Sequence, residues 1–143
     1  AQTFADNITA ICRLEEEFRL AVWLAVHEAV VNAVVHGNLE IACPEETFAS
    51  MDSLHLAIRE RMVNATYSAR RVALVAYRCE DGVIRIEVTD QGASLPGAAL
   101  MRNRQAASMS SSLLRTLSLQ IYYDAPQRTQ VLEFSVRPGL SAT

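Results

Sequence analysis

The chain has 143 residues, half of them apolar, and a formal net charge of −3. That length suits one domain with a real core, and that charge makes no broad electrostatic case for nucleic acid. All 13 basic residues are Arg, which excludes a Walker-type phosphate loop and Schiff-base catalysis, both of which need Lys; a Gly-x-Gly-x-x-Gly run is absent too.

Cys12, Cys43 and Cys79 are widely separated and odd in number, so they form neither a disulfide framework nor a zinc site. Cys12 and Cys79 lie in apolar contexts and read as core thiols, which favours a reducing cytoplasm. No signal peptide is expected, and no apolar run is expected to be long and uninterrupted enough to span a membrane. Residues 20–35 come nearest, but His27, Glu28 and Asn32 break them. The first residue is Ala rather than Met, as expected of a piece cut from a longer regulator.

Residues 1–5 read as a short edge strand. Asp6 reads as the N-cap of a first helical segment through Leu14, with Ile8, Ile11 and Cys12 apolar. Glu15, Glu16 and Glu17 open the main helix, where acids suit the positive end of the dipole, and it runs to about His36. Trp23 reads as core. Glu28, Asn32 and His36 then recur at a step of four. That step turns an α-helix by only about 40°, so the three share one stripe. A carboxylate, an amide and an imidazole in a row are costly to bury without partners; the stripe is either solvated or serves a polar site. Gly37 suits the helix C′ position, and His36 complements the dipole in the last turn.

Residues 38–53 read as loop and 54–65 as a helix, with Leu54, Ile58 and Met62 repeating at four and Asp52 or Ser53 as cap. Residues 72–79 and 83–90 form a hairpin turned by Glu80-Asp81-Gly82. In its second strand Ile84, Ile86 and Val88 share a face with Asp90, while Arg85, Glu87 and Thr89 share the other. A strand that ends by pointing a carboxylate to the core side marks a site at a core edge. Residues 92–110 have the small, polar pattern of a mobile loop, and Arg102 and Arg104 there are available to phosphates. Ser111–Leu119 reads as helix, 120–124 as strand and Pro126–Thr129 as turn. In the last strand, Gln130–Arg137, Leu132, Phe134 and Val136 alternate with Glu133 and Ser135, and the final six residues read as a frayed tail. Early helices and later strands predict a single α+β domain, a two-layer sandwich with a mostly antiparallel sheet and helices on one face.

The spacing Glu28-x-x-x-Asn32-Ala-x-x-His36-Gly37 resembles the N-box of the GHKL (histidine-kinase-like) ATPases. The run His36-Gly37-Asn38-Leu39-Glu40-Ile41, followed by a helix ending near Arg70-Arg71, resembles the anti-sigma-factor serine kinases within that group, and a subgroup often attached to receiver or phosphatase modules. The likeness covers most of the chain. Asp90-Gln91-Gly92 resembles the start of the family's second motif, Asp-x-Gly-x-Gly, with Ser94 at the second glycine. Ser108-Met109-Ser110 falls where the third motif has Gly-x-Gly, and Leu119 where the family usually has Asp.

The resemblance implies the histidine-kinase-like sandwich, with ATP and Mg²⁺ as cofactors. It makes Asn32 the Mg²⁺ ligand and Glu28 the catalytic base on the attacking hydroxyl, or the residue that orients a Mg²⁺-bound water. Asp90 would accept from the adenine amino group, with His36, Gly92, Ser94, Ser108 and Ser110 also at the nucleotide. It implies a cytoplasmic serine protein kinase acting on a small STAS-like antagonist protein and binding a sigma factor in turn. A homodimer is compatible with it; neither nucleic acid nor a membrane is a partner. Serine keeps the N–H groups of the glycine motifs but resists positive φ. The second reading is therefore the same fold as a nucleotide-free pseudokinase, a binding module working by partner exchange. A metal-independent small-molecule sensor is a third.

Overall fold

The computed structural model describes residues 1–12, 16–41, 51–79, 82–93 and 120–135. It opens on a helix, α1 (Gln2–Cys12), not on an edge strand. The Ala5 N–H bonds the Ala1 carbonyl at 3.0 Å, and Ala5 and Ile8 are buried on one helical face. Asp6 is consequently inside the helix rather than its cap, its carbonyl accepting the Thr9 hydroxyl at 2.9 Å. A short apolar stretch fits either period; packing against the next helix decides between them.

That next helix, α2 (Glu16–Asn32), passes directly into a π-helical turn, Ala33–Asn38. Ala21, Ala25, Ala29 and Ala33 recur at a step of four and are all buried. Their small side chains let the helix lie close on the sheet, while Val22 and Val26 fill the space beside them. The helical run Phe18–Asn38, 21 residues, is long and apolar enough to cross a membrane by length and composition. His27, Glu28 and Asn32 thus do not interrupt it as expected. Its alanine face belongs to the same apolar cluster as the sheet, the arrangement of a core helix.

α3 (Met51–Val63) starts earlier than its apolar repeat suggests, so Asp52 and Ser53 lie in its first turns. It buries no residue: Leu54 and Ile58 are half-buried and Met62 is 58 % exposed. α4 (Ala65–Ser68) is capped by Asn64, whose Oδ1 accepts the Thr66 N–H at 2.9 Å.

The sheet has strands β1 (Ala73–Arg78), β2 (Val83–Thr89), β3 (Gln120–Asp124) and β4 (Thr129–Ser135), in the order β1-β2-β4-β3 and antiparallel throughout. The β1–β2 hairpin forms as its alternation requires, with Gly82 at φ 73°, a conformation glycine adopts freely. The turn before β4 is Ala125–Arg128, so Thr129 already pairs with Thr89 and Asp124. On the inner face Ile84 lies opposite Phe134 and Ile86 opposite Leu132, and these join the α2 alanines and Ile8 of α1 in one core. Each such large side chain, fully buried, contributes roughly 1.5–3 kcal/mol. The outer face is polar at its centre, where Arg85 lies 2.9 Å from Glu87 and 3.5 Å from Glu133. The architecture is α+β: a four-stranded antiparallel sheet whose inner-face residues share one core with α1 and α2.

Cys79 is exposed beyond the end of edge strand β1, which corrects its reading as a core thiol. Cys43, Arg102, Arg104, Val136, the tail, the expected helix Ser111–Leu119 and the loop beyond Ala93 lie outside the described residues.

Candidate functional site

The end of the long helix meets the end of β2. Asp90 is 2 % exposed and lies on the Ile84, Ile86 and Val88 side, as alternation required. Its Oδ1 accepts the Gly92 N–H at 3.0 Å, and its own N–H bonds the Arg128 carbonyl at 3.2 Å. Gly37 lies directly against it. A Cβ built on Gly37 would fall within the Asp90 carboxyl group, and one built on Gly92 would fall on the Gly37 carbonyl. Gly37 is inside the π-helical turn and is not at positive φ, so it is not the left-handed C′ residue expected. What demands glycine there is space.

The polar stripe does not run at one depth. Glu28 is exposed, Asn32 is 6 % exposed and His36 is half-buried. The π-helical turn also bends its line. The Leu39 N–H reaches back five residues to the Val34 carbonyl at 2.8 Å. A wider turn advances fewer degrees per residue, so His36 falls behind the position that α-geometry assigns it. Its Nδ1 donates to the Ile41 carbonyl at 2.7 Å. Insertions of this kind occur frequently at functional sites. Trp23, expected in the core, is half-buried and stacks on His27 with ring centroids 5.3 Å apart.

Asn38 and Glu40, at the start of the expected loop, bind this junction together with Arg70 and Arg71. Asn38, 4 % exposed, accepts the Gln91 N–H on Oδ1 at 2.8 Å. Glu40 Oε1 accepts the Ala93 N–H at 2.9 Å and pairs with Arg70 Nη1 at 2.6 Å. Arg70 Nη1 also donates to the Asn38 carbonyl at 2.7 Å, and the Arg71 N–H donates to Gln91 Oε1 at 2.8 Å. The Ala93 N–H foremost, helped by the Arg70 guanidinium, holds the Glu40 carboxyl below its usual range against the opposing effect of burial. Glu40 and Arg128 are both left-handed, each at φ 53°. Such backbone costs non-glycine residues roughly 1–3 kcal/mol each and persists where surroundings enforce it. Here both grip the segment after β2: Glu40 through Ala93, and Arg128 through Asp90 and the Gly92 carbonyl, which its Nη1 reaches at 3.3 Å.

Gln130 lies on the inner face of β4, opposite Val88, near this junction. It is 2 % exposed, and both its Oε1 and its Nε2 are buried without a hydrogen-bond partner among the described residues. On its other side it lies opposite Tyr123. Asp90, two residues beyond Val88, is its diagonal neighbour at roughly 7–8 Å. Leaving a buried amide unmet costs roughly 1–3 kcal/mol, so its retention calls for a partner. The alternation of Leu132 and Phe134, carried two residues back, is the signal that would have found it.

Of the residues expected at a nucleotide, Asn32, His36, Asp90 and Gly92 thus lie in or beside one junction, Glu28 lies further out on α2, and Ser94, Ser108 and Ser110 lie outside the described residues. Among the described residues no group of three or more His, Cys, Asp or Glu side chains is placed to hold a metal. Mg²⁺ does not require one, since it commonly keeps waters and takes only one or two protein groups beside phosphate oxygens. Asn32, Asp90 and Gln130 are thus three buried polar side chains in or near this junction, and the Gln130 amide has no partner among the described residues. Comparison with protein-family models, with curated proteins and with solved structures finds no match to this chain.

Proposed function

We propose that this chain is a single nucleotide-binding domain of the histidine-kinase-like sandwich type, taking ATP with Mg²⁺. In this reading it is a cytoplasmic serine protein kinase of the anti-sigma type. The observation that carries it is the Gly37–Asp90–Gly92 interlock, which seats the helix bearing Glu28 and Asn32 against a buried carboxylate at a strand end. Asp90 offers an acceptor to an exocyclic amine, Asn32 offers an amide oxygen to the metal, and the lack of side chains on Gly37 and Gly92 lets the helix end close on the strand end that carries Asp90. Bound Mg²⁺–ATP supplies the phosphoryl group and the charge neutralisation that such transfer needs. Glu28 is solvent-exposed, so a serine hydroxyl presented by a protein substrate can reach it without passing through the core. The substrate class is a small STAS-like antagonist, with a sigma factor as alternating client and a receiver or phosphatase module fused or associated.

The second reading, a nucleotide-free binding module, is favoured by one observation: Ser94, Ser108 and Ser110 stand where the resembling motifs have glycine. Titration calorimetry with ATP, with and without Mg²⁺, separates the two. Micromolar, Mg²⁺-dependent heat supports the first. No heat and no thermal shift at millimolar ATP sinks it. Asn32→Ala is expected to abolish the Mg²⁺-dependent binding while the variant still melts cooperatively; a variant that does not fold would make Asn32 structural and remove it from the site.

A further inference from the structure

Gln130 has a fixed place and an unmet chemistry. Its strand β4 is held on both sides, by β2 and by β3, so its side chain is tied to the most constrained part of the sheet. It is 2 % exposed, which denies its amide bulk water. Neither Oε1 nor Nε2 has a partner among the described residues. Its row on the inner face holds Leu74, Val88 and Tyr123, and the row beyond it ends in Asp90. An unmet primary amide presents a donor and an acceptor side by side, at the spacing of a purine edge.

We propose that Gln130 reads the base of the bound nucleotide, its amide engaging the N6 and N7 edge of adenine in a two-bond contact. The proposal rests on the nucleotide reading above and adds a residue and a selectivity to it. Adenine offers an N6–H donor and an N7 acceptor on that edge, which matches an amide oxygen and an amide N–H; guanine offers two acceptors there, O6 and N7, and sets oxygen against oxygen. The neighbouring Asp90 carboxylate is an acceptor only and favours an exocyclic amine in the same way. A two-bond contact of this type discriminates against the wrong base by roughly 5- to 150-fold.

The test is calorimetric titration of the wild-type chain and of Gln130→Met with Mg²⁺–ATP, Mg²⁺–GTP and Mg²⁺–tripolyphosphate, which has no base. Met matches Gln in length and removes only the polar atoms. Expected are a wild-type preference for ATP over GTP, a roughly 5- to 150-fold loss of ATP affinity in the variant with GTP little changed, and unchanged tripolyphosphate binding. The melting temperature of the nucleotide-free variant should equal or exceed the wild type, because an unmet buried amide has been removed. Gln130→Leu provides the same readout if the Met variant does not fold. An unchanged ATP-to-GTP ratio in a folded variant overturns the role of Gln130, makes its amide a structural group met by buried water, and leaves the nucleotide reading intact. A wild-type chain that binds ATP and GTP equally overturns it as well. No binding of any of the three probes by the wild type overturns the nucleotide reading and this inference together.

Discussion

Substituting Ala for Gly37 sets local helix preference against tertiary packing, and the two predict opposite signs. Gly37 lies inside a helical turn without positive φ, where Ala is ordinarily better than Gly by roughly 0.5–1 kcal/mol. In the folded protein, however, the added methyl group meets the Asp90 carboxyl. Asp90 is 2 % exposed, and its carboxyl is held by the Gly92 N–H. Forcing extra volume into packed surroundings costs roughly 1–3 kcal/mol. Displacing the carboxylate from the Gly92 N–H forfeits a hydrogen bond to a charged group, roughly 1.5–3 kcal/mol more. Allowing for the helix gain, a net destabilisation of about 1.5–5.5 kcal/mol is expected. For a domain of this size that is a fall of about 5–16 °C in Tm. Thermal and urea denaturation read it directly. Asp90→Ala should relieve part of the loss, since it removes the carboxyl but leaves a Cβ 2.7 Å from the new methyl group. A Gly37→Ala variant as stable as the wild type, or more so, would refute the interlock and the site built on it.

Acid should weaken the junction through Glu40. Its carboxyl titrates lower in the folded protein than in the unfolded chain, so its contribution is present above the ordinary Glu value of about 4.3 and is lost as pH falls through the lowered folded value. Stability profiles against pH should show wild type losing more than Glu40→Gln below about pH 4.3; parallel profiles would mean that the Ala93 and Arg70 contacts do not hold in solution. Asn64→Ala removes the cap of α4 and should cost about 0.5–1 kcal/mol, seen as faster amide exchange at Thr66 with the sheet unaffected. Protection lost across β2 and β4 instead would show that the cap anchors more than its own turn.

Patterning alone was enough for β2 and for the hairpin. Ile84, Ile86 and Val88 alternate so cleanly with Arg85, Glu87 and Thr89 that the side on which Asp90 lands followed by counting. The long helix was equally legible, because four alanines and their valine neighbours recur at its period over many turns. Residues 1–5 were not, because so short a piece fits both periods and only the face of α2 selects one. Cys79 failed for a related reason: an apolar neighbourhood in sequence does not say that the strand lies at an edge.

The sequence by itself determined which residue types the chain can bring to a site and, through period and alternation, which face most of them occupy. It holds Glu28, Asn32 and Asp90 as candidates because polar groups in apolar elements stand out locally. Only the tertiary structure decided that Gly37 is glycine for the sake of a carboxyl some fifty residues away, that Asn38, Glu40 and Arg70 bind the junction, and that the Gln130 amide is buried unmet. Those facts are distances between segments remote in sequence. No local propensity encodes them, because each appears only when the end of a helix and the ends of two strands are packed against one another.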